Sequence, residues 1–223
     1  MPVSANYRGI EDLPAIIPVF PLAGALLLPR AQLPLNIFEP RYLAMIDDAM
    51  KGDRLIGMIQ PDTSKGGTPA APALFSTGCA GRITQFAESG DGRYLISLTG
   101  VARFRVTEEL PAETAYRRCR ADFSPFRNDL IPRHGEEKVD RPALLKTLAA
   151  YLKANKLEAD WKDIDEAPTE ALVNGLSMMS PYGTREKQAL LEAPDLKSRA
   201  DVLVAITEMA LAKGDGDNDL PMQ

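Results

Sequence analysis

The sequence predicts an α+β protein, in which an antiparallel, barrel-like β-sheet is followed by a C-terminal α-helical bundle. Three observations predict it. Up to about residue 126 the apolar residues come in short runs broken by proline and glycine, the pattern of strands and turns. From residue 140 they recur at helical spacing instead. The links from "RLIGMIQP" onward are mostly of hairpin type, and strands in one block with helices in the next favour an antiparallel, barrel-like sheet over a Rossmann core. The chain divides accordingly: a flexible lead over 1–14, a β-subdomain over 15–127, a charged linker over 128–139, a helical subdomain over 140–213 and a disordered acidic tail over 214–223.

Each element has a local cause. The stretch "IPVFPLAGALLLPRAQLPLNIF" is the greasiest of the chain, but Pro18, Pro21, Pro29 and Pro34 interrupt it. A proline inside a helix costs about 3 kcal/mol, and no proline-free apolar run approaches the ~20 residues of a membrane span. The lead also lacks a basic region, which a secretory signal needs. A cytoplasmic protein with no membrane partner is expected, and "IIPVFPL", "ALLL" and "LPLNIF" read as short strands.

Pro40 suits a helical first turn, and Tyr42, Met45, Ile46, Ala49 and Met50 then make an apolar stripe, with Gly52 as the stop. "RLIGMIQP" is a strand, and "DTSKGGTPAAPA" a loop. "LFSTGCAGRITQF" and "YLISLTGVARFRV" form a long hairpin through "AESGDGR". "AYRRCRADFSPF" is a further strand, with Arg118, Arg120 and Asp122 on one face and Cys119, Ala121 and Phe123 on the other.

Asp140 caps the next helix, whose stripe is Leu144, Leu145, Leu148, Tyr151 and Leu152. Thr169 caps a helix carrying Leu172, Val173, Leu176 and Met179. Thr184 starts a short helix with Leu190 and Leu191. Asp195 begins the last, with Leu196, Val202, Leu203, Ile206 and Met209 inward and Gly214 as its end.

Chemistry-bearing patterns are sparse. There is no GxxxxGK[ST], no GxGxxG and no HExxH. With two cysteines and one histidine the chain falls short of the roughly four ligands of a structural zinc. Cys79 and Cys119 read as buried free thiols. His134 lies in a charged linker, where orienting partners are not expected. Ser177 sits on an apolar helix and Ser180 before a proline, so neither has the setting of a Ser–Lys nucleophile. Asp47–Asp48 and Glu136–Glu137 read as solvated faces. No catalytic residue, metal or cofactor is expected.

Two surfaces stand out as binding candidates. One is apolar: Leu26, Leu27, Leu28, Phe38, Tyr42 and Met45, with Phe38 and Met45 better suited to the core and Leu26 and Leu27 to the surface. The other is basic: Arg103, Arg105, Arg118 and Arg120 would form a stripe if their strands pair, or a solvated face balanced by Glu108, Glu109 and Asp122. A net charge of −5 opposes nucleic acid as a partner.

Taken in order, several motifs resemble the N-terminal domain family of Lon proteases. These are Pro18 to Leu22; Leu28, Pro29, Pro34 and Leu35; "IFEPRY" at Ile37 to Tyr42; Gly78 and Ile83; Gly100, Arg103 and Phe104; and Lys187, Gln188, Leu190, Leu191, Glu192, Arg199 and Leu203. "IFEPRY" is closest to stand-alone members, which lack the rest of the protease. The resemblance covers roughly residues 16 to 212. It implies a PUA-like, partly open barrel followed by a helical bundle, and a role in recognising protein substrates or a partner protein. The chain is too short for an AAA+ module and shows neither a nucleotide loop nor a Ser–Lys protease domain, so the protease activity itself is not expected. PUA-like barrels also host RNA recognition, which is the alternative role.

Overall fold

The computed structural model describes residues 7–68, 71–111 and 113–217. Six strands and six helices follow in chain order: β1 (Ile16–Pro21), β2 (Gln32–Ile37), α1 (Pro40–Lys51), β3 (Leu55–Ile59), β4 (Thr77–Ser89), β5 (Arg93–Glu109), β6 (Arg117–Asp122), α2 (Arg141–Ala154), α3 (Trp161–Glu166), α4 (Thr169–Met179), α5 (Thr184–Glu192) and α6 (Leu196–Asp217). Strands first and helices afterwards is the predicted α+β order.

The sheet runs β2-β5-β4-β3-β1-β6, and β5 also pairs with β6. β5 is long enough to serve both: Tyr94 to Thr99 lie against β2, and Arg105 to Glu109 against β6. Register shifts at Ala80/Gly81 and Ile83/Gln85 help the β4–β5 hairpin bend, as bulges do. The sheet therefore rolls up, but β2 remains at an edge. One pairing departs from an antiparallel barrel: β1 and β3 run parallel, because β2 and α1 intervene between them.

The largest departure from the sequence reading is "ALLL". It forms no strand. Residues 22–31 are a loop whose main chain is tied to β5, with Arg30 N donating to Gly100 O (2.8 Å) and Gly100 N to Ala31 O (2.9 Å). A Cβ on Gly100 would stand 2.0 Å from Leu28 O, so only glycine admits this approach. Leu27 fills the space over Gly81 in the same way. Leu26, Leu27 and Leu28 are buried, the reverse of the expected surface lip.

No hinge separates the helices from the sheet. One apolar cluster contains Leu27, Leu28, Met45, Ile83 and Leu98 from the first half together with Leu144, Val173, Leu190 and Leu203 from the second. A second lies inside the roll around Ile17, Ala102, Phe104 and Cys119. In the expected lead, Leu13 is buried and Tyr7 and Ile10 pack on that second cluster; residues 1–6 lie outside the described residues. The expected linker is likewise built in: the 3-10 segment Ser124–Leu130 places Asp129 in the interior.

The helices start close to where capping predicts. Asp140 accepts from Ala143 N, and Asp195 from Ser198 N. Thr169 is the first helical residue of α4 rather than its cap, and Gly183 precedes α5. α6 continues past Gly214 to Asp217; residues 218–223 of the expected tail lie outside the described residues. Two expected inward residues face solvent, Met179 at the last position of α4 and Met209 late in α6. Their places on the buried faces are taken by small polar residues, Ser177 and Thr207, whose hydroxyls donate to their own helix at Val173 O and Leu203 O.

Candidate functional site

The predicted basic stripe is not assembled. Arg103 points inward and is buried. Its main-chain N and Nε donate to Asp129 Oδ2 (2.9 and 2.8 Å), and its Nη2 to Asp129 Oδ1 (2.8 Å). Phe126 lies under the guanidinium, 4.5 Å from its centroid. Strand alternation decides this: Ala102 and Phe104 line the inner cluster, so the burial of Arg103 on the opposite face needs a cover, which Ser124–Leu130 and the α5–α6 junction supply. Arg118 pairs with Glu113, and Arg120 with Glu108, at the surface. Arg105 is exposed beside Asp122. A solvated, charge-balanced face forms for Arg105, Arg118 and Arg120, but not for Arg103.

Of the apolar candidates, Met45 and Tyr42 are core residues. Tyr42 stacks on Phe20 at 4.3 Å, and burial raises its pKa against the pull of Arg41. Phe38, expected in the core, is 62% exposed. It directly follows β2, in line with the outward positions Pro34 and Asn36.

Beside it the structure brings together residues the sequence reading passed over. Asn36 of β2 pairs with Leu95 of β5, and Leu95 with Ala87 of β4. Leu95 is 49% and Phe86 42% exposed. With Pro34, Leu35, Asn36 and Ile96 they line an open groove of about 510 Å³. Phe86, paired with Ile96, faces the α1 side of the sheet, opposite to Leu95; there it is propped edge-on by Tyr94 (5.0 Å), whose hydroxyl donates to Asp47 on α1 (3.0 Å), which also raises the tyrosine's pKa. A signal existed in "RYLIS": three consecutive apolar residues in a strand force one of them outward.

Among the described residues β2 pairs only with β5, so its other side offers unpaired main-chain groups next to this groove. The arrangement can take an extended chain by strand addition and house apolar side chains.

The remaining chemical candidates are engaged in structure. Asp48 accepts from Lys51 and Tyr116, and these bonds hold its carboxyl below the usual range. Glu136 accepts from Glu170 N at the start of α4 and pairs with Arg133; together these outweigh the burial that would raise it, and its pKa falls. Glu137 and His134 are exposed. Ser180, half-buried, closes α4. Cys79 and Cys119 are free and buried, and desolvation raises both thiols, Cys119 to about 12. No group of His, Cys, Asp and Glu among the described residues is arranged to hold a metal ion, and no described helix is long and apolar enough to cross a membrane.

A set of buried polar side chains joins helices to sheet. Gln188 on α5 donates to Thr77 O and accepts from Gln60, while Lys187 donates to Gly24 O (2.9 Å). Asn174 on α4 donates to Pro29 O and accepts from Arg199, whose Nε donates to Leu190 O. Arg103 adds bonds to Leu191 O and Ala193 O. Arg103, Lys187, Gln188 and Arg199 thus owe their places to docking the helical half on the sheet and its leucine loop.

Comparison with known proteins gives a consistent answer. Lon protease 2 of Myxococcus xanthus is 30% identical over 92% of this chain, and Lon protease of Anaeromyxobacter dehalogenans 27% over 88%. The chain spans about a quarter of the length of these curated relatives. Two solved structures share the fold. The N-terminal domain of the Mycobacterium avium complex Lon protease matches with TM-score 0.62 and 19% identity, over 86% of this chain and 98% of that one. A Lon N-terminal domain protein from Xanthomonas campestris matches with TM-score 0.60 and 20% identity, over 85% and 97%. Residues 16–208 match the family described as the ATP-dependent protease La (LON) substrate-binding domain, and with β2, the leucine loop and the α4–α6 docking residues all inside that span, the chain belongs to this family.

Proposed function

We propose that this chain is a non-enzymatic recognition module that binds extended, apolar segments of other proteins along the free edge of β2. The observation that carries the reading is the coincidence of an unpaired strand edge with an exposed apolar groove on the same strand. Main-chain hydrogen bonds to the edge give affinity for any extended chain, and Leu95 and Phe38, on one face of the sheet, select for apolar side chains. The family's description as substrate-binding supports protein segments as the ligand class. The longer relatives are proteases; on this reading the chain contributes recognition, and the hydrolytic chemistry lies outside it. Two thiols kept free and buried suit a reducing, cytoplasmic setting.

The RNA alternative has no comparable support, because Arg103 is buried against Asp129 and its neighbours on β6 are paired with glutamates.

The test is crosslinking to a reduced, partly unfolded model protein. The wild-type chain should capture it, and Phe38→Asp with Leu95→Asp should lose most of that capture while retaining the native circular dichroism spectrum. Undiminished capture by the double variant would overturn the assignment to this groove.

A further inference from the structure

A second concavity lies on another part of the molecule, where Ser124–Leu130, the start of α4 and the α5–α6 junction meet the leucine loop. Its volume is about 310 Å³. On the scale of ~30 Å³ per water this is room for a small polar ligand, not only for one bridging solvent molecule. Its lining contains five cationic side chains against three carboxylates. Two of those cations are spoken for: Arg30 forks onto Glu170, and Arg103 onto Asp129.

Arg199 is different. It lines the cavity, is 3% exposed, and has no carboxylate within ion-pair distance among the described residues. Its Nε donates to Leu190 O (2.9 Å) and its Nη1 to Asn174 Oδ1 (3.0 Å), both neutral. Its Nη2 is buried and donates to nothing in the protein. Burial, and after it the Arg103 charge, lower the pKa to about 10 against the pull of Asp129 and Glu170, so the side chain remains a cation at neutral pH. Water would satisfy the open N–H but not the charge, and Asp129 and Glu170, which act on Arg199 from a distance, are already engaged by Arg103 and Arg30; a buried cation with no carboxylate in contact is costly.

The donor geometry selects the kind of anion. Two of its five N–H groups are taken, the one on Nε by Leu190 O and one on Nη1 by Asn174 Oδ1, so the Nη2 end is the part left open. What is left is the Nη2 end of Arg199 and, on the exposed side of the cavity, Lys138 and Lys197. Lys197 also pairs with Asp201, and Asp195 adds an opposing carboxylate whose Oδ1 is occupied by Ser198 N. Donors approaching from separate directions match a tetrahedral oxyanion, whose oxygens diverge.

We propose that this cavity is a binding site for a phosphate group carried by a small ligand, with Arg199 as its buried anchor and Lys138 and Lys197 at its mouth. The site is separate from the β2 groove and does not depend on the peptide-binding reading.

Titration calorimetry on the full chain in a chloride buffer tests it, with inorganic phosphate, glycerol 3-phosphate and acetate as probes. Saturable one-to-one binding of at least one phosphate probe is expected. Lys138→Ala with Lys197→Ala should weaken it about tenfold, the size of a lost charge-assisted hydrogen bond, and Arg199→Gln should abolish it. Tighter binding of glycerol 3-phosphate identifies a phosphate ester as the natural source, and equal or tighter binding of inorganic phosphate identifies the free anion. If Arg199→Gln does not fold, the lysine pair alone decides, since both side chains are exposed. Absence of saturable binding by either phosphate probe, acetate binding as tightly as phosphate, or no effect of the lysine pair would each overturn the proposal.

Discussion

Two apolar stretches lie close together in this chain and meet opposite fates. Leu26, Leu27 and Leu28 form the densest leucine run of the chain and are buried, although they belong to a loop. Phe38 and Leu95 stand on or directly beside regular strands and are exposed. Hydrophobicity does not separate them; the main chain does. The loop is stapled to β5 on both sides of Gly100, which lays its leucines onto the sheet. In the strands, alternation sends Ile37 and Ile96 to the core and their neighbours outward, whatever their chemistry. Burial in this fold follows backbone placement first and side-chain character second.

The comparison is broken most severely at the loop. Leu27→Asp removes a core side chain, a loss of about 2–5 kcal/mol even when alanine replaces it, and places a carboxylate over Gly81 inside the apolar cluster. Against a typical total of about 5–15 kcal/mol, the variant should fail to give a cooperative thermal transition. Next comes the charge that sits under β5: Asp129→Ala leaves Arg103 buried without its partner and should cost about 3–5 kcal/mol, read as a lower urea midpoint. Gly100→Ala is milder. The new Cβ meets Leu28 O at 2.0 Å, so the loop must shift, at about 1–3 kcal/mol. If Gly100→Ala were neutral by urea titration, main-chain stapling would not be what holds the leucines in.

These residues also show what could be read from sequence. The helix at Pro40, the β4–β5 hairpin and the start of α2 at Asp140 were legible, because periodicity, turn residues and caps act within a few positions. The leucine loop was not, since the residue that admits it, Gly100, lies some seventy positions away. Arg103 was misplaced for the same reason: its alternation is visible, but its partner Asp129 comes from a stretch whose composition reads as a linker. The groove beside β2 was half legible. Phe38 was noticed, while the pairing that sets Leu95 and Phe86 near that strand is a property of the sheet.

The smallest expected effect sharpens the comparison furthest. If Phe38 and Leu95 are exposed because their strands leave no choice, removing their apolar surface should cost the fold almost nothing. Surface substitutions of this kind fall within about 0.5 kcal/mol of neutral. Phe38→Asp with Leu95→Asp should therefore unfold in urea at nearly the wild-type midpoint and with the same slope, an outcome opposite to that of Leu27→Asp a few residues away. A large loss of stability would mean that the groove is closed by part of this chain in solution and is core rather than surface. An unchanged midpoint together with lost capture of unfolded protein would separate the two roles of leucine and phenylalanine here: inside the loop they hold the sheet and helices together, and on the strands they are kept outside for another chain to cover.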